Sequence, residues 1–284
     1  MDVLTLYVGQ GALAGVRVAN EGIIVDAHMP DCDEVTPEEI KQTLLTYFRG
    51  VAVRGFVLTG FDADHAHSAG VEWILSQFNP DWIMYPKYYK DTDCACDVFS
   101  AINKCERRRS ATNRPLARHS IRLDRLDGRE IVGLGRNFSV ELFSPHLEDM
   151  DSSNNCSIVA KITGTGPTGF RYLVTGDTET ERWDTIHRLF SRHIGADVMA
   201  AAHHGAVTGT HAKTLLSVSP NTVLISAGVD SQFDHPRGTA VQAYQSVAKH
   251  VWATNAGGEG KNLLTQRNGT DFKTTAFRHA AAAA

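Results

Sequence analysis

The sequence predicts an α/β (α+β) fold in which two β-sheets pack face to face with helices on the outside, and three observations carry that expectation. Each half of the chain opens with short β-like runs and then alternates strands with helices. No low-complexity linker divides the 284 residues and no short-period repeat is present, so residues 1–279 read as one domain. The usage is that of a globular chain, 42% hydrophobic and 21% charged. Its net charge of −4 gives no global attraction to nucleic acid or an anionic membrane.

The opening runs Val3 to Val8, Leu13 to Val18 and Ile23 to Asp26 are separated by Gly9-Gln10-Gly11 and Asn20-Glu21-Gly22, the pattern of an antiparallel meander. Thr36-Pro37-Glu38-Glu39 then supplies an N-cap, a proline at the first helical position and a capping-box glutamate. Ile40, Leu44, Tyr47 and Phe48 follow at helical spacing, and Gly50 ends the helix. Strand Gly55 to Leu58, helix Ser68 to Phe78, strand Trp82 to Tyr85 and helix Asp93 to Arg109 continue the first half.

In the second half, Phe138 to Phe143, Ser157 to Ile162 and Tyr172 to Val174 read as strands and Glu179 to Ile194 as an amphipathic helix. Asp197 to Ala201 and Thr222 to Ile225 are apolar runs of buried-strand length, with helices at Lys213 to Val218 and Thr239 to Ala248. Val251 to Thr254, Asn262 to Thr265 and Phe272 to Thr275 form a terminal β region with Asn268-Gly269 as a hairpin turn. Residues 280–284, all alanine, read as a frayed or appended tail.

No apolar run reaches the roughly 20 residues that span a bilayer, and Met1-Asp2-Val3 lacks a basic leader region. Five cysteines, an odd number, fit reduced thiols. The expectation is a soluble, cytoplasmic protein without membrane contact.

The chemistry concentrates in Asp62-Ala63-Asp64-His65-Ala66-His67, directly after the strand ending at Leu58. Carboxylates and imidazoles at this density suit a borderline divalent ion such as Zn²⁺ or Mn²⁺. Alternatively, Asp62 or Asp64 caps the next helix. Three further clusters share the same address at the end of an apolar run: Asp177 after Leu173 to Gly176, His203-His204-Gly205 after Val198 to Ala202, and His235-Pro236 after Val223 to Gly228. Acids and imidazoles at the carboxyl ends of successive strands build one site from distant segments.

These residues, in this order, resemble the metallo-β-lactamase superfamily and, within it, the soluble nuclease-like domain of bacterial DNA-uptake competence proteins. The likeness runs nearly end to end through Val8-Gly9-Gln10-Gly11, Ile24-Val25-Asp26, Leu58 to His65, Ser144-Pro145, Asn154-Asn155-Cys156-Ser157, Gly176-Asp177-Thr178, His203-His204-Gly205, Ser226-Ala227-Gly228 and His235-Pro236. The resemblance implies a four-layer αββα sandwich with one or two divalent ions, Zn or Mn, at the sheet edge. It implies metal ligation by Asp64, His65, Asp177 and His235, completed by Asp62 and His203, with Asp177 bridging. It further implies a hydrolase, a phosphodiesterase or nuclease working through a metal-bound water. Asp64, Asp177, His203 and His204 are its expected catalytic residues, and His204 or an unliganded His203 protonates the leaving group.

One departure stands out, because the family's metal loop usually begins with a histidine where this chain has Gly60. His67 is close enough in sequence to compensate. A degenerate scaffold that binds a protein partner is therefore the competing reading, and hydrolysis of an amide, lactone or thioester is a third.

Between Lys104 and Arg125 the chain is locally basic, with Arg107, Arg108, Arg109, Arg114, Arg118 and Arg122. Arginine forks pair with phosphates, so Arg107, Arg108 and Arg109 are candidate contacts to nucleic acid or another phosphodiester. A solvated helix face is the alternative. Tyr85, Tyr88 and Tyr89 either stack bases or pack the core. Cys94-Ala95-Cys96 has the wrong spacing for a structural zinc pair, and Cys156 reads as a small apolar filler.

Overall fold

Alternation along the strands sorts side chains into three apolar layers, and the computed structural model, which describes residues 1–30, 32–88, 90–124, 128–149 and 152–279, shows what fills each. Strands Asp2–Thr5 (β1), Ala14–Val18 (β2) and Glu21–Val25 (β3) form the opening meander. Helix Pro37–Tyr47 (α1), strand Ala52–Val57 (β4), helix Ser68–Gln77 (α2), strand Trp82–Pro86 (β5), helix Asp93–Ser110 (α3) and strand Ala117–Ile121 (β6) follow. Strands Glu130–Val132 (β7), Phe138–Ser144 (β8), Val159–Gly164 (β9) and Arg171–Val174 (β10) make a second antiparallel set. Helix Thr180–Phe190 (α4), strand Val198–Ala200 (β11), helix Ala212–Val218 (α5), strand Thr222–Ile225 (β12), helix Gly238–Gln245 (α6) and strand His250–Ala253 (β13) continue in parallel fashion. Strands Asn262–Asn268 (β14) and Asp271–Phe277 (β15) close the chain as a hairpin.

The eight-stranded sheet runs β15-β14-β1-β2-β3-β4-β5-β6 and the seven-stranded sheet β13-β12-β11-β10-β9-β8-β7. In each, antiparallel strands pass into a parallel block: β3 to β6 in the first, β10 to β13 in the second. Val3, Val16, Ile23 and Val25 of the first sheet meet Val140, Leu142, Tyr172 and Val174 of the second in the central layer. The intervening residues face outward, Leu4 and Ile24 against a cluster that includes Ile40, Leu44 and Ile74 of α1 and α2, and Leu173 against Trp183, Ile186 and Phe190 of α4. The result is the αββα sandwich that the alternation predicts.

Local signals explain much of this. The capping box of α1 forms as read, with Thr36 Oγ1 accepting the Glu39 N–H and Glu39 Oε2 accepting the Thr36 N–H at 2.9 Å. Strands β6 and β7 are not anticipated by the sequence analysis. Both lie at sheet edges and carry polar or charged residues at exposed positions, so neither shows the apolar run of a central strand. No helix among the described residues is long and apolar enough to cross a membrane. The expected tail, residues 280–284, lies outside the described residues.

Helix α2 is held close to the end of β3, because a Cβ at Gly70 would stand 2.1 Å from the Ala27 carbonyl oxygen. Ala27 N–H in turn donates to the His65 carbonyl at 2.7 Å. Gly70→Ala must push the helix off that strand end and is expected to lower stability by about 1–3 kcal/mol, read as a reduced midpoint in urea unfolding. An unchanged midpoint would show that α2 slides away without cost.

Candidate metal centre

Five chain segments converge where parallel strands end: Asp26 after β3, residues 59–67 after β4, Asp177 after β10, His203-His204 after β11 and Ser226 after β12. Gly176 lets two of them approach. It has φ +52°, and a Cβ there would lie 2.8 Å from Ser157 Cβ and 3.0 Å from Thr59 Cβ.

The structure brings Asp64, His65, Asp177 and His204 together, each offering a donor atom within 4.8 Å of the others. His65 is buried between two carboxylates. Its Nδ1 lies 3.0 Å from Asp26 Oδ2 and 2.9 Å from Thr59 Oγ1, and its Nε2 lies 2.9 Å from Asp177 Oδ1. Asp26 is fixed in turn by the Thr59 N–H at 2.7 Å and the Thr59 hydroxyl at 2.8 Å. A carboxylate can only accept, so both ring nitrogens of His65 donate. Burial opposes that imidazolium, but Asp177 and Asp26 outweigh it and hold the His65 pKa well above its ordinary value.

His204 Nδ1 donates to the Ser226 carbonyl at 3.0 Å, which turns Nε2 toward Asp64 Oδ2 at 3.5 Å and Asp177 Oδ1 at 3.6 Å. That Nε2 is buried and has no hydrogen-bond partner. Burial disfavours the charged form of Asp177, yet the His65 and His204 rings hold its carboxyl down at about 2. Asp64, under the same opposition, is also held low by His204 and His65.

The donor set fits a divalent ion. Two carboxylates and two imidazole Nε2 atoms face one point, and an oxygen on each Nδ1 fixes the orientation that metal-bound histidines adopt. A buried nitrogen left without a hydrogen-bond partner is costly, and a bound ion would satisfy it.

The other expected residues are placed differently. His203 sits at the rim with 24% of its side chain exposed, Nε2 4.0 Å from Asp177 Oδ2 and Nδ1 3.5 Å from Glu179 Oε1. His235 is 6.0 Å from the His203 ring centroid and stacks on Phe233. It lies outside the group of four, and its buried Nδ1 has no hydrogen-bond partner. Asp62 is also outside the group and accepts a hydrogen bond from Lys90 Nζ. His67 lies 6.2 Å from the ring of His28, another imidazole beside the metal loop, whose Nδ1 donates to the Ala63 carbonyl at 3.0 Å. Burial lowers the His28 pKa to about 4, so its ring is neutral at pH 7.

Asp26, His28, Ser157, Glu179 and Lys90 are absent from the sequence-derived site. Asp26 alone had a usable signal, an acid at the carboxyl end of Ile23-Ile24-Val25. A second group, His146, Glu148 and Asp149, also clusters, but its cation is Arg182, whose buried guanidinium lies 3.1 Å from Asp149 and 3.2 Å from Glu148.

In the basic segment Arg109 is buried and donates to the Pro80, Arg114 and Pro115 carbonyls, which removes it from any external contact. Arg114 pairs with Asp81, Arg118 with Glu106, Lys104 with Glu72 and Arg122 with Asp124, while Arg107 and Arg108 are exposed. Arg125 and Tyr89 lie outside the described residues. Tyr85 packs in the core against Phe61 and Phe99. Cys156 is buried, with Sγ 2.9 Å from the Asp149 carbonyl.

Fold and site together define an αββα sandwich with a candidate metal cluster at its sheet edge. The sequence is similar to ComE operon protein 3 of Bacillus subtilis (strain 168), 30% identical over 135 residues. That stretch is 48% of this chain and only 17% of the Bacillus protein. The fold is similar to Igni18, a novel metallo hydrolase from the hyperthermophilic archaeon Ignicoccus hospitalis, with a TM-score of 0.51 and 14% identity over 94% of this chain and 100% of that one. It is also similar to CmlA, a diiron beta-hydroxylase from Streptomyces venezuelae, with a TM-score of 0.53 and 15% identity over 97% of this chain and 54% of that one. No protein-family model matches the chain.

An ion seated on these donors must displace the proton that His65 Nε2 shares with Asp177. Because the His65 pKa is raised, that proton is present at neutral pH, so binding releases it and affinity falls as the solution is acidified. Calorimetric titration with Zn²⁺ or Mn²⁺ should show weakening of about tenfold per pH unit below neutrality for each proton displaced. An affinity independent of pH would place the ion elsewhere.

Proposed function

We propose that the protein is a metal-dependent hydrolase that cleaves phosphodiesters. The observation that carries this reading is the convergence of Asp64, His65, Asp177 and His204, with both imidazoles held by Nδ1 and aimed by Nε2. The phosphodiester class draws support from the likeness to the competence-type domain. A divalent ion held by these four residues supplies Lewis acidity and an activated water.

The chain's own groups account for the rest. Hydrolysis forms a bond from the water oxygen to phosphorus and breaks the bond from phosphorus to the leaving oxygen. The proton lost by the water passes to the half-exposed Asp64 carboxylate, and the leaving oxygen takes a proton from His203. His203 suits that task because its ring stands at the rim, clamped by Glu179 and by Thr208 Oγ1 at 3.3 Å. His204, buried in the cluster, is left to bind. Ser157 Oγ accepts the Asp177 N–H at 2.9 Å and anchors the residue whose carboxylate would hold the ion.

Elemental analysis of protein purified without chelator should find a transition metal, and Asp177→Ala should lose it. His203→Ala should keep the metal and lower phosphodiester turnover by about 10²- to 10⁴-fold. Loss of metal in His203→Ala would make that residue a ligand. The scaffold reading draws on Gly60 and on the Asp62–Lys90 pair, and it becomes the better one if fully loaded protein cleaves no phosphodiester.

A further inference from the structure

Two donors that a second ion would need are missing from the cluster. Gly60 has no side chain, and Asp62 is already occupied by the ammonium of Lys90. Neither feature is a backbone necessity. Gly60 lies outside the left-handed region, and a Cβ there would meet no atom within 4 Å, so neither backbone conformation nor first-atom contact requires glycine.

Lys90 comes from the segment between β5 and α3, and in the first turn of α3 Cys94 Sγ lies 3.4 Å from the Ala66 carbonyl of the metal loop. Asp62 is its only acidic partner among the described residues, and the two side chains are 23% and 32% exposed, so water screens the pair incompletely. The loop keeps that charge near the cluster. The Asp62 carbonyl accepts the N–H groups of His65 at 2.9 Å and Ala66 at 2.8 Å, a single tight turn from the ligand imidazole.

We propose that this is a one-ion centre in which the Lys90 ammonium, seated on Asp62, serves as the second positive charge and donates to a non-bridging phosphoryl oxygen. The inference rests on the metal-dependent reading above and goes further by assigning a substrate contact. In two-ion sites the second ion neutralises charge on the oxygens of the displaced group. A lysine brings three donors and one positive charge. Because Asp62 cancels most of that charge, the pair offers N–H donors with little net charge, which suits the single negative charge of a phosphodiester better than the two of a phosphomonoester, so the centre favours diesters.

The test uses the whole chain with Mn²⁺ or Zn²⁺ titrated calorimetrically and checked by elemental analysis, and with bis(4-nitrophenyl) phosphate and 4-nitrophenyl phosphate as probes. The native protein should bind one ion and prefer the diester. Lys90→Gln should still bind one ion with unchanged affinity and lose about 10²- to 10³-fold in diester turnover, while Lys90→Arg, which keeps the charge, should retain most of it. Gly60→His alone should stay at one ion, and Gly60→His with Lys90→Gln should bind two. Two ions in the native protein or in Gly60→His alone, one ion in the double variant, or full turnover in Lys90→Gln would each overturn the proposal. A native protein that binds no ion defeats the metal-dependent reading itself, which the stoichiometry distinguishes.

Discussion

The hydrogen-bonded line Asp26–His65–Asp177 is the constraint around which the two sheets are arranged. Asp26 ends β3 in the first sheet, Asp177 follows β10 in the second, and the His65 ring bridges them with a nitrogen at each end. The central layer can hold the sheets together anywhere along its apolar face, since hydrophobic contact has no direction. This line sets where their carboxyl ends meet. It takes an uncommon backbone to do so: Asp26 has φ +61°, a conformation that a non-glycine residue keeps only where its surroundings fix it. Two hydrogen bonds from Thr59 provide that fixing.

Charge explains why the site has this composition. Asp64 and Asp177 lie close together with Asp177 buried, an arrangement that is costly unless positive charge is brought between them. Without an ion, protons on imidazoles do this work, which is why the His65 and His204 values rise as those of the two acids fall. A divalent ion held by these residues would take the place of those protons. Asp62 stands outside this exchange because a fixed cation already neutralises it, so the loop carries one carboxylate for a removable charge and one for a permanent charge.

Much of the fold was legible because its central strands are apolar runs bounded by turn residues and its helices carry period and caps, as Thr36 to Glu39 illustrate. Strands β6 and β7 were not legible, since one is largely polar and the other only three residues long, whereas the edge strands β13 and β15 carry an apolar run or follow a hairpin turn. At the site, an acid or imidazole after an apolar run pointed to Asp64, His65, Asp177 and the His203-His204 pair. Partners were invisible for a geometric reason: Lys90 reaches Asp62 across α2 and β5, and Arg109 turns inward to carbonyls five and six residues downstream and at Pro80. A local count of charges sees neither, and the basic segment loses most of its apparent surplus to ion pairs.

The division between His203 and His204 shows the limit of motif reading most sharply, because adjacent identical residues acquire different chemistry. Both have left-handed backbone angles, φ 51° and 54°, which β-branched side chains would resist. The His203 N–H is anchored on the Gly176 carbonyl at 3.0 Å and the Gly205 carbonyl accepts the Arg237 N–H at 3.0 Å, so the strained pair is gripped from both sides. Held this way, His204 points into the cluster with 4% of its side chain exposed, and His203 points along the rim. The partner of each Nδ1 completes the contrast. A backbone carbonyl fixes one ring as a rigid electron-pair donor, while a carboxylate and a hydroxyl orient the other where an incoming group can reach it. The backbone strain is thus what lets one short turn furnish both an interior donor and a rim donor.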